Sequence, residues 1–474
     1  MASKAKKVAV AASVLKALST EPQVLSNPTK TSAQSAESSV AVRIAMSSYS
    51  GLGAWFVLRL MAEGHKVDYY LSKREYEGVL RGLIPKPKLL HLDHRRHALG
   101  YGYPSYAGYD LSLFDLTGRA KQAEHSRLVA PTLGDGNFEH MLEDDREAGI
   151  NAMEQCGINV PPYQRFDKPG EAKAYIRASA ARYVFKPFTV GGQEQDTSAT
   201  YVAKDAEDLL QVIDKLYLNA KRAPFILQEY VKGTEVSVEA LFNGSEFYLP
   251  VGNIENKKFM NDNKGPNTGC AADLVFTLRP EARIFEEGLA KAKPMLQAAG
   301  FRGIIDLNSI VAGGKFYGLE WGPRFGYLCC PISAHMYGAG WADILYSVAA
   351  GKTPLLRWKW EYGAAVTLSI PPYPTEIRVP SAASIPVEGI DPTNAEQLCE
   401  YFLYDVALKG KALETSGNYG YIGAAVAGGN SIAQAFGKVD SRIERVQIPN
   451  MQYRTDSEES LGSRYATLER ESWL

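Results

Sequence analysis

Two acidic residues of the sequence lie in strands that a short turn joins. The pattern predicts strands over residues 303–307 and 316–321, with a turn at 312–315; Asp306 lies in the first strand and Glu320 in the second. Carboxylate oxygens are the ligands that hard divalent cations prefer, and these two are placed at corresponding points of neighbouring strands. An unpaired carboxylate between apolar neighbours is costly, so Asp306 is hard to explain as a structural residue. Glu320 is equally compatible with the plain end of an edge strand.

A lysine lies near the end of another predicted strand, over residues 183–187. Lys186 comes shortly before a polar loop that contains the pair Gly191 and Gly192. Taken alone, Lys186 is also compatible with a strand-end lysine in solvent. A functional interpretation therefore needs neighbours that the spacing does not reveal.

The elements that begin the ordered part predict a βαβ unit, with a strand over 42–46, a helix that runs through Met61 and a strand over 66–71. The turn before the helix contains Gly51 and Gly53 but lacks the third glycine of a dinucleotide fingerprint. No acidic residue stands in the place expected for ribose binding, since Lys73 and Arg74 follow the second strand, and this argues against a nicotinamide cofactor. A phosphate or small anion at the helix N-terminus and a plain tight turn remain alternatives.

Three histidines and an aspartate lie within residues 91–97, a density that a metal site would suit. Two adjacent arginines in the same segment would repel a cation, so the sequence favours a surface loop. A role in holding an anionic substrate is the better functional hypothesis. Further along, the pattern predicts one helix over residues 139–157.

Composition excludes several classes of function. The 474 residues include 52 Lys and Arg against 53 Asp and Glu, so no overall positive field favours nucleic acid. Five cysteines without CxxC spacing predict neither a disulfide framework nor a zinc ribbon and favour a reducing, cytoplasmic setting. No apolar run is long enough for a membrane span. Residues 1–40, rich in Ala, Ser and Lys, predict a disordered tail or, as the alternative, a targeting segment.

Four motifs in one order carry a family resemblance over roughly residues 42–465. They are Gln228-Glu229-Tyr230-Val231-Lys232-Gly233-Thr234-Glu235-Val236-Ser237, then Gly265-Pro266-Asn267-Thr268-Gly269 soon after Lys257-Lys258, then Glu320-Trp321-Gly322-Pro323-Arg324-Phe325-Gly326, and Tyr453-Arg454-Thr455-Asp456 near the end. Together they resemble the ATP-grasp superfamily, and within it the phosphoribosylamine–glycine ligases. Each motif alone is weak, but the shared order and length make the set specific.

The resemblance implies an α/β protein, α+β in its central part, with the ATP-grasp fold. It implies an N-terminal βαβ domain over 41–150, an ATP-grasp domain over 151–355, a small C-terminal domain over 356–465 and a tail over 466–474. The activity implied is that of an ATP-dependent carboxylate–amine ligase of purine biosynthesis that forms an acyl phosphate. It implies Mg²⁺ or Mn²⁺ as the metal, small-molecule amino acid and amine substrates, and a monomer or homodimer.

The resemblance also implies roles for single residues. Asp306 and Glu320 would ligate metal, and Lys186 would meet an ATP phosphate under a lid containing Gly191 and Gly192. Arg324 would clamp a carboxylate or acyl phosphate, for which its planar fork is suited. The remaining implied residues are Glu229, Tyr230 and Val231 for adenine, Glu235 for ribose, Lys258 as a second phosphate or catalytic group, and Asn267, Thr268 and Gly269 for substrate.

Departures from the family pattern lie where the substrates would bind. Gly322 stands where the family has asparagine, Cys329 and Cys330 fall in the segment that is G-D-P-E in the family, and Cys270 replaces a family glycine. Three hypotheses therefore remain: a divergent phosphoribosylamine–glycine ligase, a ligase for another amino acid and amine, and a nucleotide-binding or structural protein without turnover.

Overall fold

The computed structural model describes residues 41–90, 104–179, 181–188, 200–338, 340–355, 357–375 and 382–474. The suggested tail over 1–40 and the histidine-containing segment over 91–97 lie outside the described residues. Among the helices described, none combines the length and the apolarity that crossing a bilayer requires.

The N-terminal part is a parallel sheet that confirms the expected βαβ unit. Its strands and helices are β1 (Arg43–Ser48), α1 (Ala54–Ala62), β2 (Lys66–Leu71), β3 (Lys88–Leu89), β4 (Leu111–Phe114), α2 (Ala120–Arg127) and β5 (Thr132–Leu133). The five strands have the order β3-β2-β1-β4-β5. In the turn before α1, Asp115 accepts the backbone N–H groups of Tyr49 and Gly53, at 3.2 and 2.8 Å. The protein's own carboxylate therefore holds these amides, which argues against the external anion considered for this turn.

Two short helices, not one, connect this sheet to the rest of the chain. They are α3 (Asn137–Glu143) and α4 (Arg146–Gln155). The expected single helix over 139–157 is wrong because Asp145 leaves the helical conformation and caps α4, accepting from the Ala148 N–H at 3.1 Å. The break places Glu143 at the end of one helix and Arg146 at the start of the next.

A second, four-stranded sheet has the order β6-β9-β7-β8 and is antiparallel. Its elements are β6 (Tyr163–Phe166), α5 (Pro169–Ala178), β7 (Tyr183–Pro187), β8 (Tyr201–Val202), α6 (Ala206–Asn219) and β9 (Phe225–Glu229). Apolar side chains of both helices, such as Ile176 and Ile213, pack on Phe185 and Phe225 of the strands in a core of their own. The sheet thereby holds Lys186 rigidly at the end of β7.

The largest sheet has eight antiparallel strands and organises the remainder of the molecule. The strands after β9 are β10 (Thr234–Phe242), β11 (Phe247–Met260), β12 (Lys264–Thr277), β13 (Gly303–Ala312), β14 (Lys315–Gly322), β15 (Tyr362–Ser369), β16 (Ala383–Val387), β17 (Tyr401–Leu403), β18 (Val406–Lys409), β19 (Ala412–Ser416) and β20 (Tyr421–Gly429). The eight-stranded order is β14-β13-β10-β11-β12-β15-β20-β17, and β16, β19 and β18 form a separate small sheet. Strands from the C-terminal segment over 356–465 thus extend the sheet that the central segment begins.

The remaining helices cover this large sheet. They are α7 (Arg283–Glu287), α8 (Lys293–Ala298), α9 (Cys329–Met336), α10 (Trp341–Ala349), α11 (Ala395–Cys399), α12 (Ile432–Arg445) and α13 (Ser457–Arg470), with short 3-10 turns at Arg74–Tyr76, Asn261–Asn263 and Leu289–Ala292. Residues 466–474, expected as a tail, contain the end of α13 and the fully buried Trp473. This segment is therefore packed into the fold.

Candidate functional site

One face of the eight-stranded sheet carries polar side chains across neighbouring strands. Residues two apart in a strand, and residues directly opposite on paired strands, point to the same face. By that rule the register places on one face Glu320 of β14, Asp306 and Asn308 of β13, Ser237 and Glu239 of β10, and Asn253 of β11. Side-chain contacts continue this face through Glu235, Glu255, Lys257 and Asp273. We call it the polar face.

Asp306 and Glu320 share the polar face but are not directly opposite. Asp306 is paired with Gly322, whereas Glu320 is paired with Asn308. The Asn308 Nδ2 donates to Asp306 Oδ2 at 2.8 Å, so an amide bridges the interval between the acids. Asn308 was missed in the sequence; the signal was its place two residues after Asp306 in an alternating strand.

Gly322 leaves the space that Asp306 occupies. A Cβ at position 322 would lie 3.2 Å from Asp306 Oδ2 and 3.3 Å from its Cβ. Any side chain there would therefore press on the carboxylate. The absence of the family asparagine at position 322 and the presence of an acid at position 306 are therefore linked, because the space beside Gly322 accommodates the Asp306 side chain.

Lys186 and Arg146 converge on Glu320 from two other elements. Arg146 NH1 lies 3.1 Å and Lys186 Nζ 3.6 Å from the same oxygen, Glu320 Oε1. Arg146 also donates through Nε to the Pro187 carbonyl at 3.2 Å, which ties α4 to β7. We call Arg146, Lys186 and Glu320 the ion-paired cluster.

The pKa values of both Glu320 and Lys186 in the ion-paired cluster are lowered, for different reasons. Burial alone would raise the pKa of Glu320, but Lys186 and Arg146 outweigh it and lower the value to about 2. Burial lowers the pKa of Lys186 to about 8, with Glu320 opposing the shift and Arg146 adding to it. Glu320 is thus ionised, and Lys186 is a weakly held cation suited to an additional anionic partner.

Arg324, the expected clamp, is held by an acid that the sequence did not reveal. Its Nε donates to Glu143 Oε1 at 2.8 Å, and its NH1 donates to the Phe325 carbonyl at 3.2 Å. Glu143 is the first cause of the raised pKa of Arg324. Glu143 and Arg146 lie on either side of the break between α3 and α4. The two residues at this break therefore form ion pairs with Arg324 and Glu320, respectively.

A second group of acids faces little positive charge. Glu239 lies directly opposite Asp306, and Glu255 lies directly opposite Asp273. Burial raises the pKa of all four carboxyls, that of Glu239 to about 7, and for Asp306 the neighbours Glu239 and Glu255 add to the effect. We call these four residues the acid-rich cluster.

Cys329 and Lys257 contact members or neighbours of the acid-rich cluster. The Cys329 thiol donates to Glu239 Oε1 at 3.3 Å. Lys257 forms an ion pair with Glu235 and lies 3.8 Å from Glu255 Oε2. The lysine seen on the polar face is therefore Lys257; the proposed Lys258 contributes its backbone carbonyl, which accepts from Arg454 NH1 at 2.9 Å.

The segment expected to read adenine connects the small sheet to the large one. Glu229 ends β9, and its N–H donates to the Pro162 carbonyl at 2.8 Å. The Tyr230 N–H donates to the Arg182 carbonyl at 2.8 Å, and the Arg182 guanidinium stacks 3.6 Å from the Tyr230 ring centre. Val231 follows as a half-buried residue before β10. The N–H groups of Glu229 and Tyr230 therefore already donate within the protein. A ligand could bind the carbonyl groups of this segment and the backbone of Val231.

The predicted substrate motif lies at the exposed start of β12. Asn267 and Gly269 are exposed, and Thr268 Oγ1 donates to the Lys257 carbonyl at 3.0 Å. A Cβ at Gly269 would lie 3.6 Å from the Tyr327 ring. Gly191 and Gly192, the expected lid, lie outside the described residues.

Comparisons with known proteins agree with this architecture. A family model described as the ATP-grasp (A) domain of phosphoribosylglycinamide synthetase matches residues 149–312. A phosphoribosylamine–glycine ligase from Clostridium acetobutylicum is 23% identical over 335 residues, which cover 68% of this chain and 77% of that protein. The chain thus has the ATP-grasp fold, which confirms the fold expected from the motifs.

Solved structures extend the likeness over most of the chain. The phosphoribosylamine–glycine ligase of Thermotoga maritima superposes on this structure with a TM-score of 0.67 at 17% identity. The match covers 88% of this chain and 100% of that chain. A biotin carboxylase domain from Hydrogenobacter thermophilus, solved with MgADP, gives 0.59 at 13% identity and covers 92% of this chain and 96% of that one. The protein has the ATP-grasp fold, and its sequence is similar to those of the phosphoribosylamine–glycine ligases.

Proposed function

We propose that the protein joins a carboxylate to an amine by way of an acyl phosphate formed from ATP. The observation that supports this most directly is the convergence of Lys186 and Arg146 on Glu320, beside Asp306 and Asn308 on one sheet face. Phosphoryl transfer needs positioned cations and oxygen ligands around developing negative charge. The ion-paired cluster supplies the positioned cations, and the neighbouring acids supply the oxygen ligands.

Lys186 is proposed to bind an ATP phosphate. In the absence of ligand it is a buried cation whose nearest acid, Glu320, is shared with Arg146. A phosphate oxygen would give the ammonium group a second acceptor and reverse the lowering of its pKa. In the same proposal, Glu235 accepts from ribose hydroxyls and the segment of Glu229 to Val231 contacts adenine.

The donor set fits Mg²⁺. Asp306 and Glu320 offer carboxylate oxygens and Asn308 an amide oxygen on the same face, which are ligands that hard cations prefer. When bound, Mg²⁺ neutralises charge on the transferred phosphoryl group. The residues themselves hold the site open, because Gly322 carries no side chain against Asp306. Mn²⁺ would suit the same oxygens.

Arg324 is proposed to orient the carboxylate that becomes activated. Glu143 fixes one edge of its guanidinium at 2.8 Å, and part of the side chain stays accessible, with 31% of its surface exposed. In the β11–β12 hairpin, Asn267, Thr268 and Gly269 would contribute to substrate binding, and Lys258 would be a second phosphate-binding or catalytic group. We further propose that the substrates are small molecules, that the protein is a monomer or homodimer, and that it is cytoplasmic.

The reaction of phosphoribosylamine with glycine is the first candidate, because the relatives carry that name. A different amino acid and amine pair is favoured by one observation: Glu239 faces Asp306 and is contacted by Cys329, in the segment where the sequence departs from the family. The third candidate is nucleotide binding without turnover. In that case Lys186 would still bind a phosphate, but Asp306 would have no catalytic role.

ADP release with Mg·ATP tests the proposal. Single amino acids are screened with and without fresh phosphoribosylamine, with the Lys186→Met variant as the control for contaminating ATPases. Release that requires both glycine and phosphoribosylamine supports the first candidate, and release with another pair supports the second. Measurable ATP binding without release from any pair would contradict the ligase proposal and favour the third.

A further inference from the structure

Three chemically matched side chains meet at the part of the polar face furthest from the ion-paired cluster. A carboxylate oxygen of Glu255, the Sγ of Cys270 and a carboxylate oxygen of Asp273 lie within 4.8 Å of one another. Glu255 belongs to β11, and the other two belong to the neighbouring β12. Of these residues, Cys270 and Asp273 are fully buried, and the Glu255 side chain keeps 24% of its surface exposed.

Two buried oxygens at this point accept no hydrogen bond from any described side chain. They are Asp273 Oδ1 and Asn253 Oδ1. The amide of Asn253 is at the cluster, because its Nδ2 donates to Asp273 Oδ2 at 2.8 Å. A buried acceptor without a donor is costly, and native proteins rarely leave one in this state. The observation therefore points to an occupant that these oxygens bind.

Acidic side chains outnumber basic ones near these oxygens. Lys257 is the nearest cation among the side-chain contacts described, at 3.8 Å from Glu255 Oε2, but its shorter ion pair is with Glu235. Arg464 donates a hydrogen bond to the backbone carbonyl of Glu255, at 2.9 Å. Because Lys257 is shared with Glu235, a divalent cation would supply the positive charge that the ionised forms of Glu255 and Asp273 need at this point.

We propose that Asn253, Glu255, Cys270 and Asp273 bind a divalent transition metal of the Zn²⁺ type. One thiolate, two carboxylates and one amide oxygen make four ligands, the number of a tetrahedral zinc site, with Zn–S of about 2.3 Å and Zn–O of about 2.0–2.2 Å. The sulfur ligand selects such a metal over Mg²⁺. In the metal-free protein the Cys270 thiol donates to the Ala272 carbonyl at 3.2 Å. Metal binding breaks this hydrogen bond and releases the thiol proton to solvent, together with any proton that Glu255 or Asp273 carries. Glu255, the exposed member, provides the entry route. This site is independent of the proposed ligase activity.

Titration of the metal-free protein with Co²⁺, without nucleotide, tests the proposal. Cobalt replaces zinc and reports a sulfur ligand through a thiolate-to-cobalt charge-transfer band in the near ultraviolet. The wild type is expected to develop this band to one equivalent and to lose it when Zn²⁺ is added. Cys270→Ser should abolish the band, and Asp273→Asn should weaken Co²⁺ binding on the order of 10–100-fold. Cys399→Ser, a buried cysteine on α11, is the matched control and should keep the band.

Two outcomes would overturn the metal site. One is a wild-type protein that shows no charge-transfer band, or a band that Cys270→Ser retains. The other is an Asp273→Asn variant that binds Co²⁺ as the wild type does. Circular dichroism of each metal-free variant shows whether it is folded, and if Cys270→Ser is not, Cys270→Ala takes its place. Since no ATP is present, failure of the ligase proposal would leave these readouts unchanged.

Discussion

The ion-paired cluster and the acid-rich cluster lie on the same sheet face and handle buried charge in opposite ways. In the first, Arg146 and Lys186 surround one carboxylate and lower the pKa of Glu320 to about 2. In the second, Glu239 lies opposite Asp306, and burial raises the pKa of both. One cluster is satisfied by the protein itself, whereas the other requires protons or bound cations.

This difference explains how a fold can hold a nucleotide site and a cation site side by side. A carboxylate that is already paired organises cations for a phosphate, as Glu320 does for Lys186. A carboxyl group that burial and acidic neighbours make harder to ionise, such as Asp306, gains most when a metal binds. Substitutions in the two clusters should therefore change stability in opposite directions, although both should lower activity.

The largest expected effect is that of Asp306→Asn. Turnover of ATP should fall by at least about 1000-fold, because a metal ligand is lost where charge develops. The free energy of unfolding at pH 8 should rise by about 1 kcal/mol, because repulsion from Glu239 and Glu255 is removed. ADP release and urea unfolding measure the two quantities. Turnover within tenfold of the wild type would refute the metal assignment.

Glu320→Gln should lower both activity and stability. It leaves Arg146 and Lys186 buried without a counter-charge, so we expect the free energy of unfolding to fall by about 2–4 kcal/mol. Turnover should fall by about 100-fold. The control is Glu246→Gln, which removes a surface ion pair with Lys293 of 2.6 Å and should cost less than about 1 kcal/mol. An equal cost in both variants would contradict the distinction between the clusters.

Sequence patterns predicted those parts of the site that depend on neighbours along the chain. Alternation and turn residues located the strands that carry Asp306 and Glu320, and the motif order predicted the ATP-grasp fold. A residue such as Asn308 was within reach of the same reasoning, since it follows Asp306 by two positions in one strand. The register between the two strands could not be predicted in this way, because the irregularity between Asn308 and Ser309 shifts the pairing.

Residues that come from distant elements could not be predicted. Arg146 reaches Glu320 only because a break ends α3 and Asp145 starts α4, and helical periodicity over 139–157 gives no sign of that break. Glu143 contacts Arg324 across 181 positions of the chain. The junction of the C-terminal strand β15 with β12 likewise depends on long-range pairing that local pattern does not specify.

A smaller effect should appear in the pH dependence of stability. Burial raises the pKa of Glu239 from 4.5 to about 7, so the folded protein holds this proton more tightly than the unfolded chain. Its contribution is complete below about pH 4.5 and is lost as pH rises to about 7, a fall of about 2–3 kcal/mol. Glu239→Gln should remove this part of the slope in urea unfolding between pH 5 and pH 8. An unchanged slope would show that Glu239 titrates normally.

The smallest effect we expect is that of Gly322→Ala, which tests whether space at this position matters to Asp306. The added methyl carbon would lie 3.2 Å from Asp306 Oδ2, so the carboxylate must move by a few tenths of an ångström. Turnover at limiting Mg²⁺ should fall by about tenfold and recover at high Mg²⁺, because misplacement of a ligand weakens the metal before it abolishes chemistry. Gly437→Ala is the control, since outside its own helix backbone no atom of the described residues lies within 4 Å of the added Cβ. If Gly322→Ala had the same Mg²⁺ requirement as the wild type, the glycine would be unrelated to Asp306, and the pairing of these two departures would lose its physical basis.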